Sequence, residues 1–200
     1  METIDEEFKE WAKTYLNLFF KSPKDDSVMD LDGGHEGLTK QDLQIFIDEL
    51  FTREEKKHAT GICIVENKLD DDCIKELCRL EWLKVLEVPA NDLSEKSLYE
   101  ISQRLPNLKK LVISGNYKIT NLNQLQNLSQ LETLGASHLP LKMTTDDFIS
   151  LVRKTKLRDL VVYGSTVSEE TLQRVKEEFL KNRQGDDFYI DMDRFLRNDM

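Results

Sequence analysis

The chain has 200 residues, with 28 Lys and Arg against 38 Asp and Glu, and a formal net charge of −10. This length suits one ordinary domain, or one domain with an appendage, and excludes a large multidomain enzyme. A chain with 39% hydrophobic and 33% charged residues can bury a core, while its acidity opposes binding to nucleic acid or to an anionic membrane. We therefore predict a folded protein with neither of these partners.

The opening residues METIDEEFKEW are acidic, unlike the basic and then apolar start of a secretion signal. No uncharged apolar run approaches the roughly 20 residues that span a bilayer. The three cysteines, an odd number, cannot form a closed set of disulfides, which favours a reducing compartment. We expect a cytoplasmic or nuclear protein.

Residues 1–58 hold 15 Asp and Glu against 8 Lys and Arg. Apolar residues at helical spacing predict two amphipathic helices joined by a polar acidic loop. One apolar face contains Phe8, Trp11, Tyr15, Leu18 and Phe19, and the other contains Leu43, Phe46, Ile47, Leu50 and Phe51. We expect this hairpin, with Trp11 in its core, to cap the apolar end of the segment that follows.

The loop of this hairpin carries Asp30, Asp32 and Glu36 between two helices, as a calcium-binding EF-hand loop does. Its register is wrong, because His35 occupies the glycine position and Gln41 the position of the bidentate Glu. We predict no calcium site here.

The rest of the chain is repetitive. Apolar residues recur at the first, fourth and sixth positions of LKVLEVPAN, LKKLVISGN, LETLGASHL and LRDLVVYGS, which start at residues 83, 108, 131 and 157. Weaker copies are ATGICIVEN from Ala59 and FYIDM from Phe188. Spacings of 25, 23 and 26 residues between the four good starts predict a stack of short strand-containing repeats.

A second apolar series with helical spacing follows most of these strands. Ser94 and Ser168 are good N-cap residues, and Thr144 with Asp147 has capping-box spacing. The repeat after Asn116 is shorter and rich in Asn and Gln, so we predict a single short turn there. Strands on one side and helices on the other predict an α/β solenoid.

The pattern LxxLxLxxN, matched by LKKLVISGN, resembles that of the leucine-rich repeat family. This resemblance covers about residues 59–192 and implies five to six repeats, a short parallel sheet on the concave side and helices on the convex side. The helices make it similar to the ribonuclease-inhibitor-like class, which is also found in F-box proteins. Asn67, Asn91 and Asn116 match the family's asparagine, whereas Leu139 and Ser165 do not, so we expect less regular later turns. Residues 193–200 are predicted to form a C-terminal tail.

Strand alternation sends the third, fifth, seventh and eighth residues of each repeat out of the concave face. The predicted protein-binding residues are Val85, Glu87, Lys110, Val112, Thr133, Asp159, Val161 and Tyr163. Val112, Val161 and Tyr163 form an apolar and aromatic column typical of a protein-binding patch. β-branched residues also simply suit strands, and composition alone does not separate the two interpretations.

We find no nucleophile elbow, phosphate-binding loop or HExxH motif, and predict a protein that is not an enzyme and has no cofactor. A zinc site from His58, Cys63, Cys73 and Cys78 is not expected, because Cys73 and Cys78 lack metal-ligand spacing. The predicted function is a protein-interaction module that binds a partner of unknown identity, as a monomer or a subunit of a complex.

Two other functions remain open. Residues 38–55 resemble a degenerate F-box, which implies an adaptor that recruits substrates to a ubiquitin ligase, although the usual proline and tryptophan of that motif are absent. The NLxxLxxL spacing of the third repeat is similar to that of acidic leucine-rich nuclear proteins, but the long acidic tail of those proteins is not found here.

Overall fold

The computed structural model describes residues 2–20, 27–31, 37–182 and 189–191. Its strands form one parallel sheet of seven in chain order: β1 (Ser27–Asp30), β2 (Ala59–Cys63), β3 (Val85–Glu87), β4 (Lys110–Val112), β5 (Thr133–Gly135), β6 (Asp159–Val161) and β7 (Tyr189–Asp191). Helix α1 (Glu2–Phe20) precedes the sheet, and the connections contain α2 (Lys40–Phe51), α3 (Asp71–Leu77), α4 (Glu95–Arg104), α5 (Thr145–Lys154) and α6 (Glu169–Asn182). Short 3-10 helices lie at Glu54–His58 and Asn123–Asn127.

The sheet register aligns equivalent positions of the predicted repeats. Their fourth positions form one fully buried row of Ile62, Leu86, Leu111, Leu134 and Leu160. Their sixth positions, from Ile64 to Val162, are buried as well. A stack of parallel strands with a continuous leucine core and helices in the connections confirms the predicted fold class, a leucine-rich repeat solenoid.

The repeat asparagines satisfy backbone groups where the chain leaves each strand. The Asn116 side-chain amide donates to the carbonyls of Val88 and Ile113 at 2.9 and 2.8 Å. Its oxygen accepts from the amide of Leu93 at 3.1 Å. Asn91 bonds in the same way one repeat earlier. At the position where Ser165 replaces asparagine, the hydroxyl makes one such bond, to the Val162 carbonyl at 2.6 Å.

The eighth position of each repeat turns the chain through a left-handed backbone conformation. The φ angles are 56° at Glu66, 52° at Ala90, 72° at Gly115, 57° at His138 and 63° at Gly164. In this conformation the amide of the eighth residue donates a hydrogen bond to the carbonyl of the seventh residue in the next repeat. The Ala90 amide, for example, donates to the Ser114 carbonyl at 2.8 Å. Only glycine adopts this conformation without strain, so three of the five repeats carry strain at this turn.

The convex connections agree with the sequence. Ser94 and Ser168 accept hydrogen bonds from backbone amides at the starts of α4 and α6, and Thr144 forms a capping box with Asp147 at the start of α5. The Asn- and Gln-rich connection contains the short 3-10 helix Asn123–Asn127 as its helical segment.

Part of the predicted acidic loop belongs to the sheet instead. Ser27–Asp30 is β1, which pairs in parallel with β2, and Met29 and Leu31 are buried in line with the fourth and sixth repeat positions. Strand β1 does not follow the repeat period of the sequence, because the connection through α2 from Met29 to its partner Ile62 is longer than the connections between the other repeats. Residues 32–36, which include Asp32, His35 and Glu36 of the loop that resembles an EF-hand, lie outside the described residues, so the absence of a calcium site stays a prediction.

The prediction that Trp11 lies in the core is wrong, and Leu18, which the sequence placed on the same apolar face, is not on the buried side of α1 either. Trp11 is 38% exposed and Leu18 62% exposed, whereas Ala12 and Leu16 are fully buried. The buried stripe of α1 is therefore the adjacent one. Along the helix, the indole of Trp11 stacks on the Tyr15 ring and contacts the Phe8 ring at a tilt, with ring-centroid distances of 5.4 and 5.0 Å.

Four of the five residues of the second predicted face, Leu43, Phe46, Ile47 and Leu50 of α2, are buried, and Phe51 is half-buried. The domain boundaries at residues 58 and 192 stay predictions, and the expected tail lies outside the described residues.

Candidate functional site on the concave sheet

The eight predicted binding residues share one environment. All are half-buried, and each strand residue alternates with a buried neighbour: the burial pattern of β3, β4 and β6 is half-buried, buried, half-buried. The side chains therefore point away from the leucine core, as the two-residue period of a strand requires.

A groove of about 330 Å³ lies on this face over β4, β5 and β6. Val112 and Val161 border it, and Gly135 lies between them in the register of the sheet. A Cβ atom at Gly135 would lie 3.1 Å from Cγ1 of Val112. The valine thus leans over the glycine, and the absence of a side chain there gives the groove an apolar centre.

One end of the groove is aromatic. The rings of His138 and Tyr163 contact edge to face, with centroids 5.2 Å apart and planes at 87°. A Cβ atom at Gly164 would lie only 2.4 Å from Nδ1 of His138. Glycine at position 164 therefore both permits the positive φ and makes room for the imidazole ring.

The other end is polar. Nζ of Lys110 lies 2.8 Å from a carboxylate oxygen of Glu87 on the neighbouring strand. The Thr133 hydroxyl lies 3.1 Å from a carboxylate oxygen of Asp159. Both contacts link adjacent strands across the concave surface, so they fix the polar side chains beside the apolar centre.

The groove brings together most of the predicted set, but Val85 and Asp159 are not among its lining residues. It also includes Ser114, Ser137 and His138, which the sequence places at outward positions without singling them out for binding. The seventh and eighth positions of the repeat were the signal that could have found them, because these positions face the same side as the third and fifth.

The chemistry of the cysteines does not indicate a reactive or metal-binding site. Burial raises the pKa of Cys73 to about 11 and that of Cys78 to about 12, so both thiols stay protonated at neutral pH. Within the described ranges, no three His, Cys, Asp or Glu residues are grouped so that they could hold a metal ion. In the same ranges no helix has both the length and the apolar character needed to cross a membrane.

The proposed adaptor helix has its apolar face inside the molecule. Leu43 is fully buried and Phe46 is 1% exposed. Helix α2 contacts both α1 and α3, so this face already packs within the fold. A scaffold protein could reach it only after α2 had separated from its neighbours.

Comparisons with known proteins identify a fold and no closer relationship. No protein-family model matches the sequence, and no curated protein matches it. Internalin F from Listeria monocytogenes is similar in structure, with 16% identity and a TM-score of 0.56 over 76% of this chain and 38% of that one. Internalin C2 from the same organism has 16% identity and a TM-score of 0.50 over 82% of this chain and 80% of that one.

The chain thus spans 38% of the internalin F chain. Both internalins are leucine-rich repeat proteins, in agreement with the stacked strands described above. At this identity the likeness extends to the fold and not to any particular partner.

Proposed function

We propose that this chain is a non-catalytic protein-interaction module that binds a protein partner on the concave face of its sheet. The observation that carries the proposal is the groove around Gly135, where half-exposed Val112, Val161 and Tyr163 surround an apolar centre. Aromatic and aliphatic side chains in a concave, rigid setting are typical of the centres of protein interfaces. The leucine-rich repeat fold of the two internalins supports the general class.

Several finer assignments belong to this proposal. The convex helices α3 to α6 favour the ribonuclease-inhibitor-like class of repeat. A cytoplasmic or nuclear location rests on the odd number of cysteines, and we propose a monomer or one subunit of a complex. The F-box adaptor gains no support, because the buried face of α2 is the surface that it would need.

The test is affinity purification from cell extract with the full chain and matched variants, followed by mass spectrometry. Tyr163→Ala and Val161→Asn change the groove. Tyr117→Ala and Leu180→Asn make the same kinds of change at residues that are 72% and 50% exposed and do not line it.

A partner that is retained by both controls and lost from both groove variants supports the proposal. A partner retained by all four variants would place the interface on another surface, and the concave assignment would then be withdrawn. Circular dichroism of each variant checks that the fold is intact.

A further inference from the structure

The concave sheet has a graded middle row. The register places Asp30, Cys63, Glu87, Val112, Gly135 and Val161 in sequence across β1 to β6. The row is acidic at β1 and β3 and apolar from β4 to β6, and the register continues it to Asp191 of β7. A ligand that crosses the strands therefore meets carboxylates first and the groove afterwards.

Negative charge dominates the outward positions of β1 to β6. Apart from His138, the described charged side chains at outward positions of β1 to β6 are the carboxylates Asp30, Glu66, Glu87 and Asp159 and the ammonium of Lys110. Lys110 pairs with Glu87. Among the described residues, no Lys, Arg or His nitrogen lies within 4.0 Å of a carboxylate oxygen of Asp30, Glu66 or Asp159.

The pKa of the Cys63 thiol, at the acidic end of the row, is raised above its ordinary value. Burial raises its pKa most, and the charges of Glu87 and Asp30 raise it further, while Lys110 lowers it by less than either. The ammonium therefore does not cancel the two carboxylates, and this part of the row favours a cation.

We propose that the concave face binds an extended protein segment in which Lys or Arg residues flank an aliphatic residue. The aliphatic side chain lies over Gly135 between Val112 and Val161. One cationic side chain pairs with Asp159, and another pairs with the acidic end at Asp30. This inference rests on the proposed function and adds the chemistry of the partner to it.

The spacing of the sheet sets the spacing in the segment. Adjacent strands lie about 4.8 Å apart and an extended residue spans about 3.3 Å, so Asp30 lies roughly six residues from the aliphatic position. Asp159 lies on the strand next to Gly135 and two residues before Val161, the register partner of Gly135. The distance from Gly135 is about 8 Å, which corresponds to two or three residues of an extended partner segment. The partner is expected to carry one cation close to the aliphatic residue and one farther away on its other side.

The experiment is selection of a random-peptide phage library on the immobilised full chain. The most enriched peptides are then synthesised and titrated against the wild type, Asp30→Asn, Asp159→Asn and the control Asp146→Asn. Asp146 lies in the first turn of the convex helix α5. The amide substitution removes charge with little change of shape, and it leaves the Asp159 oxygen available to Thr133.

We expect enriched peptides that place Lys or Arg on both sides of an aliphatic residue. Each concave substitution is expected to weaken their binding by roughly 1.5- to 5-fold, as the loss of an exposed ion pair does. Asp146→Asn leaves binding unchanged, and added salt weakens binding to the wild type.

Other results overturn the inference in distinguishable ways. The enriched peptides could instead be neutral or acidic, bind weakly to the Val161→Asn variant and bind normally to the Leu180→Asn variant. This result would show that the groove binds protein but that the partner is not basic. Peptides indifferent to Val161→Asn and Tyr163→Ala would overturn the concave site itself. A library that yields no enriched peptide would count against the extended-segment partner.

Discussion

The hydroxyl of Tyr15 on α1 bonds to both backbone groups of Asp30 on the edge strand β1. It donates to the Asp30 carbonyl at 2.9 Å and accepts from the Asp30 amide at 3.1 Å. The next amide, that of Leu31, points the other way and bonds to Cys63 of β2 at 2.9 Å. Alternate residues of an edge strand direct unpaired backbone N–H and C=O groups away from the sheet. Tyr15 therefore bonds to backbone groups with which another strand could otherwise pair.

Tyr15→Phe removes this contact while keeping the ring that packs against Phe46. We expect the free energy of unfolding to fall by about 1 kcal/mol, the usual net value of a hydrogen bond, in urea unfolding at neutral pH. Tyr99→Phe on α4, where the side chain is 51% exposed, is the control and is expected to change stability little. Equal effects of the two substitutions would show that the Tyr15 hydroxyl does not stabilise the edge.

The leucine repeat made most of the solenoid predictable, because each buried row needs only an apolar residue at a fixed position. Strand β1 was not predictable in this way, since Met29 and Leu31 stand outside the period. The exposure of Trp11 depends on which stripe of α1 meets α2, and helical spacing alone does not decide between adjacent stripes. The concave positions followed from alternation, whereas the groove depends on how Val112 leans over Gly135, which has no signature in the sequence.

The left-handed turn at the eighth repeat position predicts stability changes of opposite sign for Ala90→Gly and Gly115→Ala. Ala90 has a φ of 52°, so Ala90→Gly relieves about 1–2 kcal/mol of backbone strain and loses part of this to the flexibility of unfolded glycine. We expect a net gain of roughly 0.5–1 kcal/mol. Thermal unfolding measures it.

The reverse substitution, Gly115→Ala, is expected to cost a similar amount. A Cβ atom there would lie 3.4 Å from the Ala90 Cα, an ordinary contact, so the cost comes from the backbone alone. Ala12→Gly, within helix α1, provides the contrast and is expected to destabilise, since glycine is unfavourable in a helix. A loss of stability in Ala90→Gly would mean that the turn is not strained.

Asn116 is fully buried and bonds to the backbone of two successive repeats. Asn116→Ala leaves the Val88 and Ile113 carbonyls and the Leu93 amide without this partner. We expect a loss of about 3 kcal/mol or more, because buried unsatisfied groups each cost about 1–3 kcal/mol. Ser165→Ala, which removes one bond at the equivalent position, is expected to cost about 1 kcal/mol. Similar losses would show that the asparagine has no special role in this fold.

Acid is expected to weaken a contact between the first two convex helices. Asp71 at the start of α3 accepts bonds from the amides and hydroxyls of Ser94 and Ser97. Burial pushes the pKa of Asp71 upward, but these hydrogen bonds outweigh burial and hold it below the ordinary value of 3.8. A carboxyl group whose pKa is lower in the folded than in the unfolded state stabilises the fold fully at a pH above its unfolded-state pKa. This stabilisation disappears as the pH falls through the folded-state pKa.

Asp71→Asn is therefore expected to be less stable than the wild type at pH near 7, and the difference should shrink below a pH of about 3.8. Thermal unfolding across this range measures it, with Asp72→Asn as the control for removing a nearby negative charge. A difference that stays constant with pH would mean that the Asp71 charge does not stabilise the contact.

Two adjacent valines test the orientation of β6 and hence the candidate site. Val161 is half-buried beside the groove and Val162 is 3% exposed in the core. Val162→Thr places a hydroxyl among apolar side chains and is expected to cost about 1–3 kcal/mol. Val161→Thr leaves the hydroxyl accessible to water and is expected to change stability by no more than about 0.5 kcal/mol. Because the substitution is identical, any difference reflects the two environments. Chemical unfolding of both variants measures this difference, and comparable losses would mean that Val161 does not lie on an accessible surface and that the concave groove is not a site for a partner.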